Sequence, residues 1–460
     1  MKDFDSLYFV GAGGIGMAAL ERYFLAKGKH VAGYDRTPSE LTDALQQEGV
    51  HIDFDENPGL IPDYCRNPER TLVVYTPAVP DSHQGLTYFR ENGFQVLKRA
   101  ALLGIVTEHS HGLCFAGTHG KTTTSSMAAH ILHSSGIGCN AFLGGVLRNY
   151  NSNFLLSTTS PYSVIEADEF DRSFHHLRPH IAVVTSTDPD HLDIYGTAEN
   201  YIESFAHFTE LIRPGGSLIV HTGLALKPRV GDQVKTYTYS RDEGDFHADN
   251  IRKGNGNITF DLVTPWETLQ DVSLGVPVTV NIENAIAAMA ACRLVDTPLE
   301  AMRDAIGTFM GPKRRFEFWL KEEGEHGKVM IDDYAHHPDE LRASITSVRD
   351  LYPNRQLTVI FQPHLYTRTR DFAQGFADAL SLADEVILLP IYPARELPIP
   401  GVASEMILEN ITSAKKFIYS KENLINSIHL SNFDVLLTAG AGDIANLLPQ
   451  ICDEFKKQRH

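Results

Sequence analysis

An apolar run, Leu113 to Gly117 (LCFAG), breaks into the glycine-rich turn GTHGKTTT (Gly117 to Thr124) and resumes as a helix-like stretch from Lys121 to about Ser135. Few folds accommodate that passage, and the rest of the chain repeats its grammar. LYFV (Leu7 to Val10), HVAGY (His30 to Tyr34) and TLVVY (Thr71 to Tyr75) alternate with stretches of helical period such as GMAALERYFLAKG. YSVIEAD and IAVVTST follow as further buried strands, then KVMID, LTVIFQ, EVILLP and DVLLTAG. Strands alternating with helices are βαβ units, so the expected class is α/β with parallel sheets.

A chain of 460 residues, 43% hydrophobic and 21% charged, can bury several cores and has the length of roughly three domains. GTFMGP (Gly307 to Pro312) breaks a helical pattern and reads as a linker; the expected divisions are 1–106, 107–308 and 309–460. From about Tyr237 to Pro277, Gly, Asn and Asp punctuate short alternating runs, which suggests an antiparallel addition with no function assigned. A formal charge of −18 argues against a nucleic-acid or anionic-membrane surface, so anionic ligands must be captured locally. The first residues lack the pattern of a secretory signal, no run of about 18 apolar residues occurs, and a cytoplasmic protein is expected. The five cysteines are scattered without CxxC spacing, so they read as reduced, mostly buried thiols.

Two loops carry phosphate chemistry. GAGGIG (Gly11, Gly13, Gly14, Ile15, Gly16) follows a strand and opens a helix, and Asp35 lies 19 residues after Gly16 at the end of the next strand. Glycines let the backbone approach a diphosphate, and an acidic side chain at that distance can hold a ribose hydroxyl. Alone this motif fits an NAD-dependent oxidoreductase equally well. The second loop is more specific: Gly117, Thr118, His119, Gly120, Lys121, Thr122 and Thr123 can wrap phosphates with backbone N–H groups. Lys121 can reach the terminal phosphates and the Thr122 hydroxyl can bind magnesium. Its glycines are separated by two residues where the common form has four. Glu166 and His191 fall at or just past the ends of apolar runs, where ligands bind in open parallel sheets. Asp168, Glu169 and Asp171 read either as further ligands or as a solvated acidic turn. Past two later strands, DDYAHHP and FQPHLYTRTRD bring His336, His337, His364, Arg368 and Arg370 together, and arginine there suits capture of a carboxylate or phosphate.

In this order the motifs GAGGIGM, GTHGKTTT, EADEFDRSF, DHLD, NxxN (Asn281 to Asn284), KRRF (Lys313 to Phe316), DDYAHHP, FQPHLYTRTRD and GAGD (Gly440 to Asp443) resemble those of the Mur ligase family from one end of the chain to the other. The short phosphate loop is the family's form. The resemblance implies a Rossmann-like N-terminal domain holding UDP, a central P-loop ATPase domain and a Rossmann-like C-terminal domain closing over an amino acid. It implies ATP and Mg2+ as cofactors, an acyl-phosphate intermediate, and release of ADP and phosphate. By motif match, Lys121 would contact phosphates, and Thr122, Glu166 and His191 would hold magnesium. Asn281 and Asn284 would meet adenine, Arg315 and Asp332 would contact the nucleotide, and His336, His364 and Arg368 would face L-alanine. DRSF after EADEF looks like the branch that adds L-alanine to UDP-N-acetylmuramate, in a monomer or homodimer, rather than the branch that recycles murein tripeptide. Two positions depart from the family pattern: Val280 stands where histidine is frequent before the first asparagine, and Leu365 where many members carry arginine.

Overall fold

The computed structural model describes residues 4–457 apart from 77, 255, 323, 325, 326, 395, 414 and 428–432; the side chains of 193, 426, 427 and 455–457 also lie outside the described set, Asp193 of the DHLD motif among them. The chain divides into two compact units, one of 1–249, 262–270 and 283–306, the other of 250–261, 271–282 and 307–460.

The first unit contains two sheets. β1 (Ser6–Val10), β2 (His30–Tyr34), β3 (His51–Asp53), β4 (Thr71–Tyr75) and β5 (Gln95–Lys98) form a wholly parallel sheet in the order β3-β2-β1-β4-β5. The order reverses beside β1, so the loop leaving β1 opens into the crevice where α/β sheets bind ligands. The second sheet holds β6 (His111–Ala116), β7 (Asn140–Leu147), β8 (Ser152–Leu155), β9 (Tyr162–Glu166), β10 (Ile181–Val184), β11 (Ser217–His221) and β12 (Lys235–Tyr239), in the order β12-β11-β10-β6-β9-β7-β8. Only the edge strand β8 pairs antiparallel. One buried apolar cluster runs through both sheets, from Leu7, Phe9 and Val74 through Leu102 and Val106 to Phe142, Phe174 and Phe205. Each such side chain contributes about 1.5–3 kcal/mol on burial, which makes the two sheets one folded body.

The stretch expected as an antiparallel addition divides in two. Its beginning belongs to β12, which pairs parallel with β11. The remainder forms a separate three-stranded sheet of β13 (His247–Gly254), β14 (Asn257–Val263) and β15 (Thr268–Ser273). In the second unit β16 (Glu317–Lys321), β17 (Val329–Asp333), β18 (Leu357–Phe361), β19 (Glu385–Leu388), β20 (Lys415–Ile418) and β21 (Val435–Ala439) take the order β16-β17-β21-β18-β19-β20, parallel except for β16. Asp333 and Phe361 both pair with Ala439, so three loops leave this sheet at one edge: those opening DDYAHHP, QPHLYTRT and GAGD. Among the described residues no helix is long and apolar enough to cross a membrane, and the five cysteines are buried and free.

Candidate active site

The phosphate loop leaves β6 between two strand ends. Phe115 pairs with Glu166 on β9, and Ala116 with Val184 on β10. The turn needs its glycines: Gly117 has φ +142, and a Cβ there would run into the Thr185 hydroxyl. Gly120, at φ +82, caps the helix Lys121–Ser134, and a Cβ there would lie 2.7 Å from Asn284 Oδ1. Side chains on the neighbouring strand ends hold the loop. Thr185 Oγ1 donates to His119 O at 2.5 Å, the His119 N–H to Ser186 Oγ at 2.8 Å, and Thr118 Oγ1 to Asp188 O at 2.7 Å. Thr123 follows in the first helical turn, and Thr124 Oγ1 donates to Asn284 Oδ1 at 3.1 Å.

Both chemistry-bearing residues of the loop are engaged. Lys121 Nζ donates to Gly117 O at 2.5 Å, Thr118 O at 3.3 Å and Glu169 Oε1 at 2.8 Å. Glu169 is buried, and desolvation raises its carboxyl above the ordinary range while Lys121 opposes the rise. Thr122 Oγ1 donates to Glu166 Oε1 at 2.9 Å, and the other oxygen of Glu166 accepts from the Gly144 N–H at 2.9 Å. His191 sits at φ +52 with its ring 3.8 Å from Asp190 and edge-on to Phe170, centroids 5.0 Å apart. Among the described residues no three His, Cys, Asp or Glu side chains are grouped to hold a metal by themselves. Magnesium is commonly bound by one or two carboxylates plus substrate phosphates and water. The hard oxygens of Thr122 and Glu166, side by side at the phosphate loop, fit that pattern.

In the first loop Gly11 has φ +94, and Gly14 caps the helix Ile15–Ala26. Asp35 closes the loop, accepting from the Gly13 N–H at 2.6 Å and the Thr37 N–H at 3.1 Å. Asn153 Nδ2 donates to Ile15 O at 3.3 Å and to Leu143 O at 3.3 Å, tying this helix start to β7.

The second unit places the remaining residues at the shared edge of its sheet. His336 Nδ1 is 2.9 Å from Tyr334 O, the His336 backbone N–H donates to Glu340 Oε2 at 2.9 Å, and the His336 ring lies 6.3 Å from that of His364. His364 stacks on Tyr392, and Arg368 Nη1 approaches His364 Nδ1 at 3.5 Å. Arg370 is turned to Asp371 at 2.7 Å. Asp332 is fully buried, accepting from Thr438 Oγ1 at 2.8 Å and Arg314 Nε at 3.3 Å. Beside it, burial pushes Asp333 up to about 6 despite donors from Ser344 Oγ and the Phe316 N–H. Asn281 Nδ2 donates to Val276 O at 3.1 Å.

Two residues that sequence reasoning left unassigned or unnamed emerge here. Glu169 is the partner of Lys121; its signal was the second glutamate of EADEF, three residues after the one that meets Thr122. Arg314, not its neighbour Arg315, pairs with Asp332 and also donates to the carbonyls of Gly440 and Gly442. The KRRF motif offers two adjacent arginines, and the choice depends on a backbone with φ +58 at Arg314 and +48 at Phe316.

Parallel sheets whose strand ends carry a short phosphate loop, with a threonine–glutamate pair beside it, define a nucleotide-binding α/β protein. The chain belongs to the Mur ligase family. Its N-terminal, "catalytic" domain model matches residues 6–111, the middle domain 115–292 and the glutamate ligase domain 314–442. Proteins named UDP-N-acetylmuramate–L-alanine ligase from Phocaeicola vulgatus and Parabacteroides distasonis are 57% and 58% identical, each over 98% of both chains. The solved UDP-N-acetylmuramate–alanine ligase of Thermotoga maritima superposes with a TM-score of 0.77 at 26% identity, covering 98% of this chain and 99% of that one. A murein peptide ligase from Psychrobacter arcticus gives 0.60 at 22% identity, covering 97% and 99%, a likeness of fold.

Proposed function

We propose that this enzyme joins L-alanine to the lactyl carboxylate of UDP-N-acetylmuramate, using ATP and releasing ADP and phosphate, a cytoplasmic step of peptidoglycan synthesis. The observation that carries the reading is identity of 57–58% over 98% of the chain to ligases of that name. The phosphate loop supports the ATP half of the reaction independently.

A free carboxylate acylates poorly, so the γ-phosphate is first transferred to it. Attack by the amine on the resulting mixed anhydride then forms the amide and expels phosphate. Both steps gather charge on oxygen, and the protein's part is positioning and neutralisation. Lys121 exchanges its hold on Glu169 and the loop carbonyls for phosphate oxygens. Thr122 and Glu166, with His191, would hold magnesium, which when bound neutralises the transferring phosphate. Asn281 and Asn284 would meet adenine, and Arg315 and Asp332 would lie on the nucleotide side, Asp332 acting through Arg314. Gly11, Gly13, Gly14, Ile15, Gly16 and Asp35 would take the UDP moiety. His336 or His364 would accept the proton of the amino group, and Arg368 would pair with the alanine carboxylate. The corresponding domains are 1–106, 107–308 and 309–460.

The test is incubation with ATP, magnesium and UDP-N-acetylmuramate plus either L-alanine or murein tripeptide, reading ADP, phosphate and product mass. ADP and a product heavier by one alanyl residue are expected only with both acceptor and L-alanine. AMP and pyrophosphate would overturn the acyl-phosphate route; turnover with tripeptide alone would identify a recycling ligase.

A further inference from the structure

A cavity of about 170 Å³ in the first unit is lined by Gly16 of the first loop and by Glu166, the partner of Thr122, together with Gly144 and Asp168. Its wall mixes apolar side chains, Leu103, Phe142 and Leu143 among them, with Asn153 and the two carboxylates, and Arg99 is the one cation in that lining. The Arg99 guanidinium lies against Gly16, where a Cβ would come within 2.5 Å of Nη1. Among the described residues no carboxylate is paired with it. Lys98, next in sequence, instead points to Asp171 at 3.9 Å.

This arrangement sets an electrostatic problem for the substrate of the reaction proposed above, on which the inference rests. The carboxylate of that UDP-sugar must approach the Thr122–Glu166 pair. A cavity lined by Glu166, Asp168 and apolar side chains repels an anion, and a charge taken out of water without a partner is strongly disfavoured. Arg99 supplies the opposite charge, and its planar fork suits a carboxylate held by two parallel hydrogen bonds. We propose that Arg99 binds the sugar-borne carboxylate in this cavity and so selects the lactyl-bearing UDP-sugar over one that lacks it.

The experiment compares binding of UDP-N-acetylmuramate and UDP-N-acetylglucosamine, which share the diphosphate and differ in the lactyl carboxylate, to the wild type, Arg99→Met and Arg99→Lys. Calorimetry should show UDP-N-acetylmuramate weakened about tenfold or more in Arg99→Met and less in Arg99→Lys, with UDP-N-acetylglucosamine changed less than about twofold, the scale of losing a charge-assisted pair. Equal weakening of both sugars would overturn the proposal by placing Arg99 on the diphosphate, and no weakening of either would make it idle. If Arg99→Met does not fold, Arg99→Lys decides by the same ratio between the two sugars. A wild type that binds neither sugar would instead remove the functional reading itself.

Discussion

The phosphate loop and the histidine–arginine edge of the C-terminal sheet both sit at carboxyl ends of parallel strands, yet they are built to opposite standards. At the loop the chemistry-bearing side chains are held: Lys121 by three acceptors, Thr122 by the carboxylate of Glu166, and Glu166 in turn by the Gly144 amide. At the other edge the closest link among the three expected substrate-facing side chains is 3.5 Å, from Arg368 to His364, at the weak limit of hydrogen bonding, and the two imidazoles stand 6.3 Å apart. On the function proposed above, the contrast follows from what each would receive. A phosphate chain is the same in every turnover and is served by a prebuilt cradle, whereas an edge with slack can be completed by the amino acid itself.

If the tight cradle carries the phosphoryl step, the largest effect belongs to Lys121→Ala. Turnover should fall by about two to three orders of magnitude, the scale of losing one transition-state charge stabiliser, while UDP-sugar affinity stays near the wild-type value. Steady-state rates with parallel calorimetry check both halves. Loss of UDP-sugar binding in a folded mutant would mean that the division of labour between the loops after β1 and β6 is drawn wrongly.

The looser edge is probed by Arg368→Ala. A zwitterionic amino acid needs its carboxylate paired, and Arg368, which approaches His364, is the cation proposed above for that role. The KM for L-alanine should rise by roughly tenfold or more, as for truncating one side of a charged pair, and the KM for ATP should not move. Because alanine's methyl gives only about 1–3 kcal/mol of selectivity, glycine and L-serine should be slower substrates and should lose ground in parallel. An unchanged alanine KM would shift the clamp to Arg370 or the DDYAHHP loop.

What could be read from sequence follows the same division. β1, β2, β4, β6, β9, β10, β17, β18, β19 and β21 announce themselves because interior parallel strands are buried on both faces and read as apolar runs. β3 (HID), β5 (QVLK), β16 (EFWLK) and β20 (KKFI) lie at sheet edges, where half the surface meets water and the sequence turns polar. The split of the stretch from Tyr237 was illegible because KTYTY alternates like an antiparallel hairpin strand, and only pairing with β11 decides otherwise. At the site, motif order identified the loops, but the pairing of Lys121 with Glu169 spans 48 residues. The preference of Asp332 for Arg314 depends on backbone angles that no composition encodes.

Asp333 tests whether the C-terminal edge is loose throughout or only at its substrate-facing side. Its folded value of about 6 lies above the ordinary carboxylate value, so its contribution to stability is fully present below about pH 4 and is lost as pH rises through 6. Chemical denaturation should therefore find the wild type losing about 2 kcal/mol between pH 4 and pH 7 relative to Asp333→Asn, which keeps acceptor and donor atoms without the charge. Parallel curves for the two proteins would mean that the buried carboxyl is ionised at no cost, and that the donors from Ser344 and Phe316 compensate fully.

The smallest effect is expected at Leu365, the residue between His364 and the helix that carries Arg368. Leu365 holds φ +69, uncommon for a side chain of its size, with its N–H donating to Tyr392 O at 3.0 Å. The backbone there is fixed by that bond and by the start of the helix Tyr366–Leu380 rather than by what the side chain touches. An arginine installed by Leu365→Arg inherits the same backbone, and its charge is added beside Arg368, which in the proposed site already serves the single carboxylate of alanine. A second cation facing one anion gains little when the first is in place, and repulsion between the two guanidiniums offsets part of the gain. The alanine KM of Leu365→Arg should stay within about twofold of the wild type, within the scale of exposed ion pairs. A fall of more than about fivefold would show that Arg368 alone leaves the carboxylate under-neutralised. The slack at this edge would then be a deficit in binding rather than room kept for the amino acid.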